Sequence, residues 1–422
     1  MIDQHYDKME SMTAAERQVF LDARLVNAIA RAFRGAPAAK TLMAQAGVKP
    51  ADIKTSKDME KLPITRKSDL IEHQQKRPPY GGYFVGKKDD IERIFISPGP
   101  VYEPLHFSHI KWFARSFWAA GFRKGDVVIN TFTYHLSPAG TLFGEALRHC
   151  GATVIVAGAG NTEIHIKAMK DLKVNGFVGT PSYLMSIIKK IEETGDFKND
   201  FNIRKAWFTG EMLSPSLRRV FEDDYGIDTR QAYAVTEPGG ALAFECSQKS
   251  GLHLMDDYFI EIVDPVSGEQ LPPGDIGEVV VTPLNNPHWG LLRFGTGDLS
   301  RLVVDECACG RTSPKLAGLL GRTGEAVKVR GMFVVPKQVE AMLAAFPGVG
   351  RFQLVVTREG TRDSLKLRVE VGPDTSVRES LLRTIETAFQ SACVVKLDGI
   401  EAMTPGSIPA DAKPVIDERN WD

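Results

Sequence analysis

Between about residue 125 and residue 235 the chain repeats one pattern: a short β-rich apolar run, then a longer stretch with apolar residues at helical spacing. "DVVIN" precedes "AGTLFGEALRHC", "ATVIVAG" precedes "TEIHIKAMKDL", "GFVG" precedes "SYLMSIIKKIEE", and "KAWFTG" precedes "PSLRRVFEDDYG". Strands alternating with helices predict a parallel sheet covered by helices. Upstream, Thr13 and Glu16 stand at capping-box spacing ahead of Val19, Ala23, Val26, Ala30 and Phe33, which predicts an amphipathic helix packed on the body. After about residue 240 the helical pattern stops. "YFIEIVDP", "IGEVVVTP" and "LSRLVVD", with Gly and Pro between them, predict a small antiparallel unit. Beyond "GRTGE" the runs "AVKVRGMFVV", "RFQLVVTR", "SLKLRVEV" and "VVKLDGI" alternate with the helical "PKQVEAMLAAF" and "VRESLLRTIETAFQ". They predict a second, α+β domain of about 100 residues. The expected fold is α/β: a large N-terminal domain (1–322) with parallel sheets, helices and the antiparallel β unit, then a small α+β C-terminal domain (323–422).

Composition narrows the function classes. The 422 residues are 43% hydrophobic and 25% charged, with a formal net charge of −1. That balance fits a globular protein of two or three domains and gives no global electrostatic case for nucleic acid or an anionic membrane as partner. The opening "MIDQHYDKME" lacks the basic and apolar regions of a signal peptide, and no apolar run approaches the roughly 18 residues that span a bilayer. Five cysteines do not suggest a disulfide framework, so a reducing, cytoplasmic setting is expected. Small molecules are the expected partners, and a homodimer is left open.

Three strings could carry chemistry. In "QAYAVTEPGG" a β-rich run ends at Thr236 and Glu237, and Pro238-Gly239-Gly240 opens a turn where backbone can approach a ligand. Glu237 could hold magnesium and Thr236 could bond a phosphate; a surface Thr-Glu in a turn is the plain alternative. In "LRFGTGDLSRL", Asp298 sits in a Gly-Thr-Gly-Asp turn, suited to two ribose hydroxyls with Arg301 offsetting its charge, or simply to turn chemistry. In "GRTGEAVKVRG", Arg322, Lys328 and Arg330 could meet phosphates or be solvated strand-edge charges. A fourth set, Cys246 and His253 with Cys307 and Cys309, supplies three sulfurs and one nitrogen, a closed tetrahedral set for structural Zn2+; buried free cysteines beside a surface histidine are the alternative. Cys150 and Cys393 sit in apolar contexts and are expected in the core. "VIVAGAGNTE" has only part of a dinucleotide-binding turn, and no Gly-x-Ser-x-Gly elbow occurs.

In this order and spacing, the set resembles the adenylate-forming superfamily of acyl- and aryl-CoA ligases, closest to the phenylacetate–CoA ligase branch. The resemblance runs from "ITRKSDL" through "GATVI", "VGTPSYL", "YAVTEPGG", "GLHLMDDYFIEIVDP", "GEVVVTPL" and "FGTGDL" to "GRTGEAVKVRGMFVVPKQVE", nearly the whole chain. It implies ATP, AMP, Mg2+ and coenzyme A as ligands and a carboxylic acid, aromatic or arylacetic, as substrate. By the same resemblance Tyr233 stacks on adenine with Gly210 and Glu211 along its other side. Thr236 and Glu237 meet phosphates and magnesium, Asp298 holds the ribose, and Arg322 contacts the nucleotide from the start of a mobile C-terminal lid. Arg330 and Gly331 enter the thioester-forming site, Phe132, Tyr134 and His135 line the acid pocket, and similar Cys/His positions recur in this branch.

Two departures stand out. Family members carry a Ser/Thr/Gly-rich phosphate loop ending in Lys-Pro. Here "RIFISPGPVYEP" puts Glu103 at the lysine and two prolines among the flexible positions, so it cannot wrap phosphates in the usual way, and Glu103 is expected to repel a triphosphate. Near the C-terminus, Lys413, the candidate catalytic lysine, falls two places after the expected adenylation lysine, at whose position stands Asp411; the segment is about two residues shorter, so Lys413 could still reach the α-phosphate or be a solvated surface lysine. The expected activity is AMP-forming activation of an acid and its transfer to coenzyme A. The competing readings are an impaired relative that binds adenylate, acyl-CoA or acid as a sensor, and a thioester-forming enzyme that does not use ATP.

Overall fold

The computed structural model describes residues 5–97, 101–105, 110–324, 326–329, 332–359, 362–372, 375–393 and 395–419. Helix α1 (Ala14–Gly35) starts at the reciprocal cap expected of Thr13 and Glu16. Its buried face is not the expected one. Arg17, Leu25, Ala28, Ile29 and Ala32 turn inward, whereas Val19 is 71% exposed. Both stripes have helical spacing, and the one carrying Leu25 and Ile29 is the one the body packs against, with Met43, Met59 and Leu292 among its neighbours. Helix α2 (Pro37–Gln45) follows, then α3 (Lys67–Lys76) and the hairpin of β1 (Arg93–Ser97) with β2 (Val101–Leu105).

After α4 (Ile110–Ala119) the strand–helix alternation builds the main sheet. Strands β3 (Val127–Asn130), β4 (Thr153–Val156), β5 (Gly176–Gly179), β6 (Lys205–Phe208) and β7 (Asp228–Val235) are parallel, in the order β4-β3-β5-β6-β7. Helices α5 (Ala139–His149), α6 (Thr162–Asp171) and α7 (Pro181–Glu192) make the crossovers. Trp207 of β6 is fully buried and its indole N–H donates to Ser116 Oγ of α4 at 2.7 Å, fixing helix against sheet.

The parallel pattern ends at β7. Gly239 and Gly240 have φ of +110° and +135°, which lets the chain reverse into β8 (Gly240–Glu245), antiparallel to β7. A Cβ at Gly240 would lie 2.6 Å from Phe113 Cζ, so only glycine fits this reversal. Strand β9 (Leu252–Leu254) continues the sheet. The chain then forms β10 (Tyr258–Val263), β11 (Gly277–Pro283) and β12 (Phe294–Ser300) before β13 (Leu302–Val303) and β14 (Lys315–Leu316) return to the edge of the first sheet. The main sheet is therefore mixed, nine-stranded, in the order β13-β14-β9-β8-β7-β6-β5-β3-β4, rather than parallel throughout. The string "LSRLVVD" divides: Leu299 and Ser300 stay in β12, and Leu302 and Val303 join the mixed sheet. The expected antiparallel unit is β10-β11-β12-β15, its last strand β15 being Gly321–Arg322.

Beyond it lie the hairpin β16 (Val327–Val329) with β17 (Met332–Val334), and a four-stranded sheet β20-β19-β18-β21. Its strands are β18 (Val349–Glu359), β19 (Arg362–Val371), β20 (Gly399–Met403) and β21 (Val415–Asp417), with helices Pro336–Leu343 and Thr375–Cys393. Leu354, Val356, Leu365, Leu367, Ile385, Phe389 and Cys393 form a separate core, and Cys150 is buried in the main one. Among the described residues no helix is long and apolar enough to cross a membrane.

Candidate functional site

The exit of β7 and the middle of β12 meet. Tyr233 is buried, and its hydroxyl donates to Asp298 Oδ2 at 2.8 Å. Asp298 lies on strand β12, not in a turn: the ladder overrides the Gly-Thr-Gly-Asp preference, and Gly297 keeps φ at +75° beside it. Its charge partner is Arg322, not Arg301. Asp298 faces Arg322 across the β12–β15 pair, with Nη1 3.5 Å from Oδ1. Burial raises the carboxyl of Asp298, against the hydrogen bond from Tyr233 and the charge of Arg322. Burial likewise lifts the phenol of Tyr233 well above its usual range, so it stays a donor.

Just past β7, Thr236 and Glu237 border a cavity of about 20 Å³ with Phe95, Glu103, Asn286 and Trp289. Glu237 is 7% exposed; its carboxylate holds Lys67 Nζ at 2.8 Å, and its carbonyl accepts from the indole of Trp289 at 3.0 Å. Glu103 departs from the expectation of a charged, phosphate-repelling loop residue. Strand alternation turns Val101, Glu103 and Leu105 inward and Tyr102 outward, leaving Glu103 8% exposed. Ser97 Oγ donates to its Oε1 at 2.9 Å, and its buried Oε2 has no hydrogen-bond partner among the described residues.

Burial, with the charge of Glu237 adding to it, pushes the Glu103 carboxyl up to about 8. The folded value lies above the unfolded 4.5, so stability supplied by the neutral form is full below pH 4.5 and is lost as the pH climbs through 8. Glu103→Gln stays neutral throughout. It should match the wild type in unfolding free energy near pH 4.5 and exceed it above pH 8, by on the order of 2 kcal/mol. Denaturant unfolding at the two pH values checks this; a constant difference would refute it.

An apolar pocket of about 130 Å³ lies alongside, lined by Phe132, Leu142, Phe143, Gly210, Ala234 and Thr236 among others. The Phe132 and Phe143 rings meet edge to face at 5.1 Å, and Gly210, at φ +82°, would place a Cβ only 3.7 Å from Phe132. Glu211 is exposed and accepts from Ser182 Oγ at 2.8 Å. Tyr134 and His135 do not belong to this lining. Tyr134 turns to Asn130, whose Nδ2 donates to its hydroxyl at 2.9 Å, and His135 is exposed. Leu142 and Phe143, which do line the pocket, lie on the inward face of the helical run "AGTLFGEALRHC", the pattern in the sequence that points to them. Lys413 is exposed ahead of β21, and its carbonyl accepts from Gln353 Nε2 at 3.0 Å. Arg330 and Gly331 lie outside the described residues.

A second constellation forms as expected. One ligand atom from each of Cys246, His253, Cys307 and Cys309 lies within 4.8 Å of the others. Cys246 Sγ is 3.6 Å from Cys307 Sγ, and Cys309 Sγ is 3.4 Å from His253 Nε2. His253 is fully buried, and its Nδ1–H is placed to donate to the Ser313 carbonyl at 3.0 Å, which leaves Nε2 facing the sulfurs. The backbone N–H groups of Gln248 and Arg311 point at Cys246 and Cys309, each at 3.4 Å. The Cys246 thiol, His253 and the Arg311 N–H lower the Cys309 thiol and favour its thiolate. Cys246 directly follows β8 and His253 lies on β9, both at the antiparallel half of the main sheet rather than the β10–β12 unit, and the set joins them to the loop between β13 and β14.

The description "AMP-binding enzyme" matches residues 106–284, and "AMP-binding enzyme C-terminal domain" matches 331–419. A phenylacetate–coenzyme A ligase of Thermus thermophilus is 31% identical over 403 residues, which is 93% of this chain and 88% of that one. The chain belongs to the phenylacetate–coenzyme A ligase family of AMP-binding enzymes. A solved 2-hydroxyisobutyryl-CoA ligase, in an open conformation with 2-HIB-AMP and CoA, matches with a TM-score of 0.87 at 27% identity, over 97% of this chain and 93% of that one. The same ligase in its postadenylation state, with R3-HIB-AMP, matches at 0.74 and 26% identity, over 97% and 91%. In this family member, Phe132, Gly210, Tyr233, Thr236, Glu237, Cys246 and His253 all fall within the first matched segment, and Lys413 within the second. Asp298 and Arg322 fall between them, and the hairpin with Glu103 precedes both.

Proposed function

We propose that this chain activates a carboxylic acid with ATP as an acyl adenylate and transfers the acyl group to coenzyme A. Family membership supports the two-step reaction. The observation that carries it in this chain is the meeting of Tyr233, Asp298 and Arg322 beside Thr236, Glu237 and the apolar pocket. Tyr233 offers a face for adenine, Asp298 accepts ribose hydroxyls, and Arg322 is placed for a phosphate. The phenyl walls of Phe132 and Phe143 favour an aromatic or arylacetic acid.

A carboxylate resists attack because addition places more negative charge on an anion. Displacement of pyrophosphate by the acid gives an acyl adenylate, whose AMP then leaves when a thiol attacks the carbonyl. The chain's work is to align acid and α-phosphate and to balance charge there. Glu237 and Thr236 would hold Mg2+, which when bound neutralises developing phosphate charge. The domains divide near Arg322, and movement of residues 323–422 would present Arg330 and Gly331 to the thioester step and Lys413 to adenylation. The better match to the open conformation than to the postadenylation state supports that movement. The four-ligand Cys/His set, complete and without an open position, fits structural Zn2+.

The test is incubation of the protein with ATP, magnesium, coenzyme A and a panel of aryl, arylacetic and short hydroxy acids. The expected result is AMP together with a CoA thioester of an aromatic acid, identified by mass. AMP and thioester from none of the panel would refute the reading.

A further inference from the structure

A triphosphate arriving at this site meets two buried acidic side chains, the Glu237 carboxylate and Glu103, across one small cavity. Adenylation needs its outer two phosphates held and their charge balanced as pyrophosphate leaves. The hairpin cannot do this with its own side chain, because Glu103 has turned inward to Ser97. A cation from another element does reach Glu237, one of the cavity's walls. Lys67, the first residue of α3, places Nζ 2.8 Å from Glu237 Oε1 and is also close enough for its charge to act on Glu103.

The backbone around Lys67 is anchored on both sides, while its side chain stays partly exposed. Lys67, Leu70 and Gln74 are spaced i, i+3, i+7 and share one face of α3. Leu70 is fully buried, and Gln74 bonds both backbone groups of Tyr102 in the hairpin, at 2.8 and 2.9 Å. Arg66, just ahead, grips both oxygens of Glu278 on β11 at 2.5 and 2.6 Å. The helix is thereby clamped to the hairpin on one side and to the β10–β12 sheet on the other. Lys67 itself remains 45% exposed, free to exchange a carboxylate for a phosphate.

We propose that Lys67 is the residue that binds the outer phosphates of ATP, held ready by its ion pair with Glu237 until the nucleotide arrives. The inference rests on the ligase reading and adds the missing grip to it. Glu237 would hold the divalent cation, and the Lys67 ammonium would then pair with the β- and γ-phosphates in place of that carboxylate.

Calorimetric titration of the full chain, with magnesium present, tests this using AMP and the non-cleavable α,β-methylene analogue of ATP. Lys67→Ala should weaken the triphosphate analogue by about 10- to 100-fold, the worth of a charge-assisted phosphate contact. It should leave AMP affinity unchanged, and Lys67→Arg should retain most of the affinity for the analogue. If Lys67→Ala binds the analogue as the wild type does, or loses AMP in the same proportion, the inference is overturned while the ligase reading stands. If the wild type binds neither nucleotide, the ligase reading itself falls and takes the inference with it.

Discussion

Glu237→Gln should reduce acid-dependent exchange of pyrophosphate into ATP by about 10²- to 10³-fold, the loss typical when a group balancing transition-state charge is removed. Glutamine keeps the shape and the backbone carbonyl that accepts from Trp289, so the β7 exit should hold its conformation. What disappears is a buried anion at the mouth of the proposed nucleotide site, 7% exposed and next to Thr236. A hard cation takes oxygen ligands and prefers a charged one. The second half-reaction supplies the control: thioester formation from a synthetic acyl adenylate needs no outer phosphates and should persist in the variant. Undiminished exchange would show that Glu237 is a structural partner of Lys67 and nothing more.

The second large effect concerns the Cys/His set. Metal analysis should find about one zinc per chain, as a closed four-ligand site requires. Cys309→Ser should then cost more than about 4 kcal/mol, the range in which loss of a metal belongs. The cost is high because His253 and Cys246 are fully buried, and without a metal the set leaves thiols and an imidazole facing one another. The consequences reach beyond the four residues. Adjacent Arg311 pairs with Glu10, and Thr312 accepts from Arg17 at 2.8 Å, so the loop that the metal fixes also anchors the N-terminal segment. Thermal unfolding and hydrogen exchange should show residues 304–314 and 5–13 loosening together. A metal-free wild type, or a Cys309→Ser variant with unchanged melting temperature, would contradict the assignment.

Much of this architecture was legible because local and global preferences agree. The alternation of β-rich and helical runs gave β3 to β7 with their crossovers, and the cap at Thr13 marked the start of α1. Rare residue types also announce themselves, as with Cys-x-Cys and a lone Cys/His pair. The misses have a common cause, which is that tertiary packing chose between locally equal options. The helix α1 carries two stripes at helical spacing, and only the body beneath decides for Leu25 and Ile29 over Val19 and Ala23. Gly-Thr-Gly-Asp favours a turn until β11 and β15 pair on either side of it. Alternation in "VYEPL" assigns Glu103 and Tyr102 to opposite faces but not to inside and outside. Tyr134 and His135 follow β3 much as a pocket residue would, yet Asn130 draws the first away and solvent takes the second. Lys67 lies within "ITRKSDL", but nothing in that string ties it to Glu237, because their meeting is made by the docking of α3 on the hairpin.

Isotope exchange between pyrophosphate and ATP, run on the wild-type chain with an aryl acid and magnesium but no coenzyme A, bears most directly on whether this site makes an adenylate. Label should enter ATP only when the acid is present. If no label enters with any acid, while the same preparation turns a synthetic acyl adenylate and coenzyme A into thioester, the chain does not use ATP and the account given for Glu237 and Lys67 is wrong.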